Sequence, residues 1–360
     1  MPRSRKKLGI LTFHKCINYG SYWQARCLAE GLRARGHEVE LLDHDCKRVR
    51  RAEARCALQP KLPERTPVGE LRAYAEKARR FLKAIAELPL SKRFSLHEPQ
   101  TADEYDAIVV GSDEVWNFRH PWYGSKPIFF GDGLKAERLV SYAASFGNHS
   151  AWDGMHPDWA HKLDRFSAIS VRDENSWHLV RNGTDREPAL VLDPCLQFGD
   201  VIPSMAAGQE EEEEPFALVY GHRFPAWLAR KVRDWARARG VKLISVGYSN
   251  GFADEQRIAS NPQDFAGLMG GAQAVITNFF HGCVFALLNG KPWASAPSEY
   301  RSIKIPDLAA TLGTEHRLVE ERTSDDRLFE LLETPVRPEV EANIRRARAR
   351  SNDYLDAALS

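Results

Sequence analysis

The sequence predicts an α/β protein of two parallel-sheet domains facing a cleft, and three observations carry that reading. Short apolar runs alternate with helical patterns in strand, helix, strand order along most of the chain. Several runs end in clusters of Gly, Ser or Asp, where a chain turns above a sheet. The length of 360 residues exceeds what one hydrophobic core usually fills, so two domains are expected.

The first run, Leu8 to Phe13, is followed by a polar turn and then a helical pattern. Ser21 is placed to cap that helix with Gln24 at its third position, Ala25, Leu28 and Leu32 form the apolar stripe, and Gly36 ends it. His37 to Leu42 reads as the next strand. Strand, helix and strand within about 35 residues form a βαβ unit, which implies a parallel sheet and a right-handed crossover. Residues 47 to 100 read as helical, richest in Ala, Glu, Lys, Arg and Leu over Glu70 to Leu88, and are expected to decorate the first domain.

Four further runs follow. Asp106 to Val110 leads to Gly111-Ser112-Asp113, Arg138 to Ala143 to Ala144-Ser145-Phe146-Gly147, Ala168 to Val171 to Arg172-Asp173-Glu174, and Ala189 to Leu192 to Asp193-Pro194. Ligands of open α/β sheets sit beyond the carboxyl ends of strands, so chemistry is sought there. The acidic run Glu210 to Glu214 reads as an exposed linker.

Beyond it the rhythm resumes. Strands are expected at Phe216 to Tyr220, Val241 to Val246 and Ala274 to Thr277, and helices at Trp227 to Ala238, Phe265 to Met269, Cys283 to Leu288, Ile305 to Leu312 and Arg327 to Leu332. The expected division is 1–205 as the N-terminal domain with its helical insertion, 206–338 as the second domain, and 339–360 as a C-terminal helix packing back on the first.

Composition narrows the function classes. Fifty basic against forty-nine acidic side chains leave a formal charge of +1, so no global field gathers nucleic acid or an anionic membrane. The cationic stretches Arg3 to Lys7 and Lys47 to Arg55 read as solvated surface. Six cysteines form no Cys-x-x-Cys pair or zinc-like cluster, which reads as reduced thiols in a cytoplasmic protein with no metal or cofactor motif. No run approaches 18 apolar residues, so no membrane span is expected. A dinucleotide fingerprint after the first strand and a phosphate loop are both missing, which sets aside nicotinamide and nucleoside-triphosphate chemistry.

Candidate site residues follow from position. Arg172 after a strand could hold a carboxylate or phosphate bidentately, or simply pair with Asp173. His281, where a helix begins after Ala274 to Thr277, could transfer a proton beside an anion, or be a structural histidine among aromatics. Asn18, Tyr19 and Gly20 could admit a sugar or phosphate, or be turn chemistry. Asp113 and Asp193 could act as bases or hydroxyl acceptors, or cap loops. Trp116, Trp122 and Tyr123 could face a sugar, or be packing. Cys195 and Cys283 read as buried structural thiols rather than nucleophiles.

These residues fall in motifs that resemble the polysaccharide pyruvyl transferase family. The motifs are Gly9 to His14, Ile17-Asn18-Tyr19-Gly20-Ser21 with Gln24-Ala25, Val110-Gly111-Ser112-Asp113-Glu114-Val115-Trp116-Asn117, Ser141 to Gly147, Ser170-Val171-Arg172-Asp173 and Leu192-Asp193-Pro194. Ile276 to Gly282, Asn289-Gly290-Lys291-Pro292, Arg301 with Lys304, and Asn352-Asp353-Tyr354-Leu355 continue the order.

The resemblance implies two Rossmann-like domains of the glycosyltransferase B type. It also implies transfer of a pyruvyl unit from phosphoenolpyruvate to two hydroxyls of a sugar, lipid-linked sugar or small hydroxylated acceptor, as in polysaccharide biosynthesis. Arg172 and His281 would be catalytic, the first binding the donor anion. Asn18, Tyr19, Gly20, Asp113, Lys291, Arg301 and Lys304 would bind substrate, without metal or cofactor. Glycan-modifying relatives often carry Arg two residues before the histidine, where this chain has Phe279. The alternatives are a nucleotide-sugar glycosyltransferase and a non-catalytic glycan- or partner-binding protein.

Overall fold

A computed structural model describes residues 5–203, 214–298 and 303–360. It contains two compact units, one of Met1–Glu53, Ile85–Val201 and Ile344–Ser360, the other of Ala54–Ala84 and Ile202–Asn343. Residues 54–84, expected to decorate the first domain, thus belong to the second unit. The expected boundary at 205/206 and the acidic run, apart from Glu214, lie outside the described residues.

The first unit is built on four parallel strands in the order Glu38–Leu41, Lys7–Leu11, Tyr105–Val110, Ala136–Ser141. Isolated bridges continue the sheet toward the short parallel pair Ser170–Val171 and Ala189–Leu190. Strands buried on both faces need near-continuous apolar sequence, which Leu8, Ile10, Leu11 and Ile108 to Val110 supply, each fully buried. The helix Tyr19–Ala34 crosses between the first two strands.

That helix begins earlier than expected. Asn18, not Ser21, is its N-cap, accepting from the backbone N–H groups of Gly20 at 2.9 Å and Ser21 at 3.3 Å. The hydroxyl of Ser21 is thereby left for a distant partner, described below. The end of the chain from Ile344 packs in this unit. Tyr354 donates to the Ser141 carbonyl at 2.6 Å, Ser351 Oγ accepts from the Leu192 N–H at 3.0 Å, and Asn352 accepts from Arg35 and Gln197.

The second unit holds five parallel strands in the order Glu255–Arg257, Lys242–Val246, Phe216–Tyr220, Ala274–Thr277, Trp293–Ser295. The amphipathic helix Ala226–Arg239 buries Leu228, Val232 and Trp235 and ends at Gly240 in the left-handed region, φ 63°. Asn261 and Asp264 form a reciprocal capping box on the helix Pro262–Gly271. The guanidinium of Arg317, 1% exposed, ties the last elements together by donating to the carbonyls of Trp293, Leu331, Thr334 and Pro335.

In each sheet the chain builds outward on one side and then returns to the other. The reversal falls between Lys7–Leu11 and Tyr105–Val110 in the first unit, and between Phe216–Tyr220 and Ala274–Thr277 in the second. A crevice at the carboxyl ends of such a strand pair is where this architecture binds ligands.

Candidate active site

In the first unit, polar side chains gather where the strands end. The turn after Tyr105–Val110 demands glycine at Gly111, whose φ is 116° and where a Cβ would lie 2.3 Å from the Tyr142 carbonyl oxygen. Asp113 follows at φ 72°, and its Oδ1 accepts from the Glu114 N–H at 2.9 Å while two side chains also donate to its carboxylate. Ser21 Oγ donates to Asp113 Oδ2 at 2.7 Å, and Arg172 Nη2 donates to Asp113 Oδ1 at 3.3 Å. Arg172 Nη1 reaches Asp193 Oδ2 at 3.0 Å.

Arg172 therefore pairs with Asp113 and Asp193, while its neighbour Asp173 caps the helix Glu174–Thr184 and accepts from Ser145 Oγ at 2.6 Å. Burial opposes the guanidinium's charge, but Asp113 and Asp193 outweigh it and raise its pKa. The expectation that Arg172 binds a donor anion meets a side chain 1% exposed and engaged by two carboxylates. Such a fork fixes both acids in one geometry.

The remaining expected residues of this unit serve structure in the main. Asn18 caps a helix, Tyr19 is fully buried, and Gly20 lies in the helix's first turn. Trp116 donates from Nε1 to the Phe129 carbonyl at 2.8 Å inside the core, and Tyr123 stacks on Phe13 at 4.3 Å. These two are packing rather than a sugar-facing wall.

Two groups here carried no signal in the sequence. Glu53 Oε1 accepts from Cys16 Sγ at 3.0 Å and Trp122 Nε1 at 2.7 Å, and burial raises its pKa above the usual carboxyl range. Only its isolation in an arginine-rich helix, Lys47–Leu58, sets it apart. The second group surrounds Asp43. Burial pushes its carboxyl up, but His14, Lys15 and Arg93 together hold it well below the ordinary value. Burial and the neighbouring His14 push His44 down to about 3, which keeps that ring neutral. Its Nε2 donates to the Thr12 carbonyl at 3.0 Å.

In the second unit the site residues surround the reversal. Thr277 Oγ1 donates to the Tyr220 carbonyl at 2.7 Å and accepts from the Phe279 N–H at 3.0 Å, which ends the strand and turns the chain into the helix Phe280–Leu288. Gly282 lies against this turn, where a Cβ would meet Thr277 Oγ1 at 2.0 Å. The N-cap, Phe279, offers no side-chain acceptor to the helix's first N–H groups. His281 stands in the first turn, 8% exposed, with its ring edge-on to Phe280 at 5.2 Å.

Phe279 itself belongs to an aromatic nest. Its ring lies 4.9 Å from Tyr220, 5.2 Å from Tyr248 and 5.3 Å from His222, each at a steep angle. His222 follows Phe216–Tyr220 and is half-buried; no motif in the sequence pointed to it. Beneath Tyr248 lies Lys77, whose Nζ is 4.1 Å from the ring centre and donates to the Gly247 carbonyl at 2.9 Å. Burial pushes the Lys77 amine down to about 7.

The other expected cations stand on other elements. Lys291 comes just after the helix Phe280–Leu288, in whose first turn His281 stands, and just before the strand Trp293–Ser295. Burial lowers its pKa. Lys304 opens the helix Lys304–Leu312 and is 7% exposed. Arg301 lies outside the described residues.

Comparison with known proteins adds two findings. The family model for polysaccharide pyruvyl transferase matches residues 18–296. Among solved structures, the chain is similar in fold to UDP-GlcNAc 2-epimerase from Neisseria meningitidis bound to UDP-GlcNAc, at 9% identity and TM-score 0.51, covering 98% of this chain and 99% of that one. UDP-GlcNAc 2-epimerase from Methanocaldococcus jannaschii gives 11% identity and TM-score 0.50, covering 91% and 92%. A further UDP-N-acetylglucosamine 2-epimerase gives 12% and 0.51, covering 99% and 95%. At these identities the likeness concerns the fold, two α/β domains each on a parallel sheet. No curated protein sequence matches the chain.

Proposed function

The chain belongs to the polysaccharide pyruvyl transferase family and is an enzyme of the transferase class, and on that premise we propose that it moves a pyruvyl group from phosphoenolpyruvate to a sugar or related hydroxylated acceptor as a cyclic ketal. The observation that carries the reading is the uncapped start of the helix Phe280–Leu288, with His281 in its first turn at the reversal of a parallel sheet. The helix dipole favours an anion there, and an imidazole in the first turn can hold or move a proton.

In this scheme the donor's methylene carbon takes up a proton, leaving an oxocarbenium-like carbon that one acceptor hydroxyl attacks. The bond from that carbon to the phosphate oxygen then breaks, and the second hydroxyl closes the ketal. Of the two hydroxyl protons released, one balances the new methyl group and the other leaves with phosphate. His281 and the helix start stabilise the departing phosphate. Arg172 has a positioning role, since its guanidinium holds Asp113 and Asp193.

A second reading, a nucleotide-sugar glycosyltransferase, draws on the fold shared with UDP-GlcNAc 2-epimerases, one of them bound to UDP-GlcNAc. One experiment separates the two. The protein is incubated with mixed candidate acceptors and either phosphoenolpyruvate or UDP-sugars, and products are read by mass spectrometry. Pyruvyl transfer gives an acceptor enlarged by one ketal unit together with inorganic phosphate. Release of UDP with a glycosylated acceptor, and no consumption of phosphoenolpyruvate, would establish the second reading instead.

A further inference from the structure

We propose that residues Lys61 to Phe81 are a proton-sensitive strap on the second unit. It holds two loops at the carboxyl edge of the sheet while the Lys77 amine is neutral, and loosens them when that amine is protonated. The strap is argued from the second unit alone. Only its consequence for turnover rests on the pyruvyl-transfer reading.

The two loops follow the neighbouring strands Phe216–Tyr220 and Lys242–Val246. Residues 61–81 come from far earlier in the chain, yet their polar bonds converge there. Lys61 Nζ donates to the Ser249 carbonyl at 2.6 Å, and its own carbonyl, with that of Leu62, accepts from Arg223. One residue thus ties the strap to both loops. The Tyr74 hydroxyl accepts from the Ser249 N–H at 2.9 Å, and the Glu70 carboxylate accepts from Ser249 Oγ at 2.7 Å. Lys77 Nζ completes the set at the Gly247 carbonyl, beneath the Tyr248 ring.

Lys77 stands where an apolar side chain would be expected. The buried positions of the helix Val68–Ala86 recur at Tyr74, Lys77, Phe81 and Ala84, the stripe of an amphipathic helix. An amine in that stripe favours its neutral form, and opening the strap to water favours the ammonium. Opening therefore takes up a proton, so it becomes easier as pH falls toward 7, the value near which the closed form titrates. The ionisable groups around the amine are the Cys56 thiol, the phenols of Tyr74 and Tyr248, the Glu70 carboxylate and Lys61 at Ser249, with His222 behind Tyr248. The Tyr248 ring also meets Phe279 at 5.2 Å, and Phe279 is the N-cap of the helix in whose first turn His281 stands. Loosening of the strap thus reaches the candidate site through one aromatic contact.

The test is hydrogen exchange of the whole protein at pH 7 and pH 9, read by mass spectrometry with intrinsic rates divided out. Wild type is compared with Lys77→Met and Tyr74→Phe. In wild type, protection of peptides covering 61–81, 221–224 and 247–250 falls by about tenfold or more from pH 9 to pH 7, since each opening takes up one proton. Lys77→Met keeps the apolar stripe and loses that dependence. Tyr74→Phe retains it, with lower protection at both pH values. Protection in wild type that does not change with pH would overturn the strap, as would an equal change in Lys77→Met. Where turnover is found, KM for phosphoenolpyruvate rises from pH 9 to pH 7 more steeply in wild type than in Lys77→Met, and an equal rise in both would sever the strap from the site. Exchange that depends on Lys77, without turnover of phosphoenolpyruvate on any acceptor tried, sustains the strap and counts against the pyruvyl-transfer reading.

Discussion

The guanidinium of Arg172 reaches the Asp193 carboxylate across 3.0 Å, with both side chains 1% exposed. The same guanidinium holds Asp113, so one cation compensates two acids. Removing it leaves both without their counter-charge. Arg172→Ala is expected to cost about 3–5 kcal/mol of stability, the range for one-sided loss of a buried ion pair. Arg172→Lys keeps the charge but not the two-armed geometry and is expected to lose less. Urea denaturation of both variants checks the order, and a Lys variant as unstable as the Ala variant would show that the charge itself matters little.

Arg317 offers a contrasting case in the second unit. Its partners are four carbonyl oxygens rather than carboxylates, and burial together with the nearby Arg337 and Arg327 lowers its pKa to about 10. Arg317→Met fills much of the volume yet strands buried acceptors, so a loss of about 2–4 kcal/mol is expected. Proteolysis should then begin at the chain from Trp293 onward. An Arg317→Met protein with wild-type thermal midpoint would contradict this account.

Much of the architecture was legible because parallel strands buried on both faces must be apolar along their length, and their ends must turn. Leu8 to Leu11, Ile108 to Val110 and Val275 to Thr277 show both features. What was not legible depends on partners distant in sequence. Asn18 and Ser21 are equally good caps by type, and the choice turned on Asp113, 92 residues away, engaging the Ser21 hydroxyl. Arg172 could pair with adjacent Asp173 by position, but Asp173 was needed at a helix start. His222 stands in no motif, and its setting comes from three loops that only the folded sheet brings together. Residues 54–84 look like a decoration of the domain they follow, yet Tyr74, Lys77 and Glu70 find their partners at Gly247 and Ser249.

Thiol reactivity separates the cysteines by burial. Cys283 is fully buried and its thiol is pushed up to about 12, and burial likewise raises Cys195 well above its ordinary value. Cys56 is exposed. With iodoacetamide at mildly alkaline pH, Cys56 is expected to be alkylated in the native protein and Cys195 and Cys283 only after unfolding. Peptide mapping reads this directly, and early labelling of Cys283 would contradict its inert setting.

Lys77 predicts a pH dependence of stability. Burial opposes its charge, and the amine, 2% exposed, titrates near 7 in the folded protein against an ordinary value of 10.5. Between these values the unfolded chain binds more protons than the folded one, so stability rises with pH from about 7 upward. Below 7 both states carry the charge and the folded state bears its full burial cost. Above 9 the buried thiol of Cys283 begins to act in the opposite sense, so the clean window is pH 7 to 9. Lys77→Met removes the titrating group, together with the bond to the Gly247 carbonyl and the contact with the Tyr248 ring. Its urea midpoint should be flatter across that window than that of wild type. Because Gly247 and Tyr248 adjoin the nest that holds His222, a parallel slope in the two proteins would show that the amine is solvated, and that this edge of the second unit is looser than the packing around Lys77 implies.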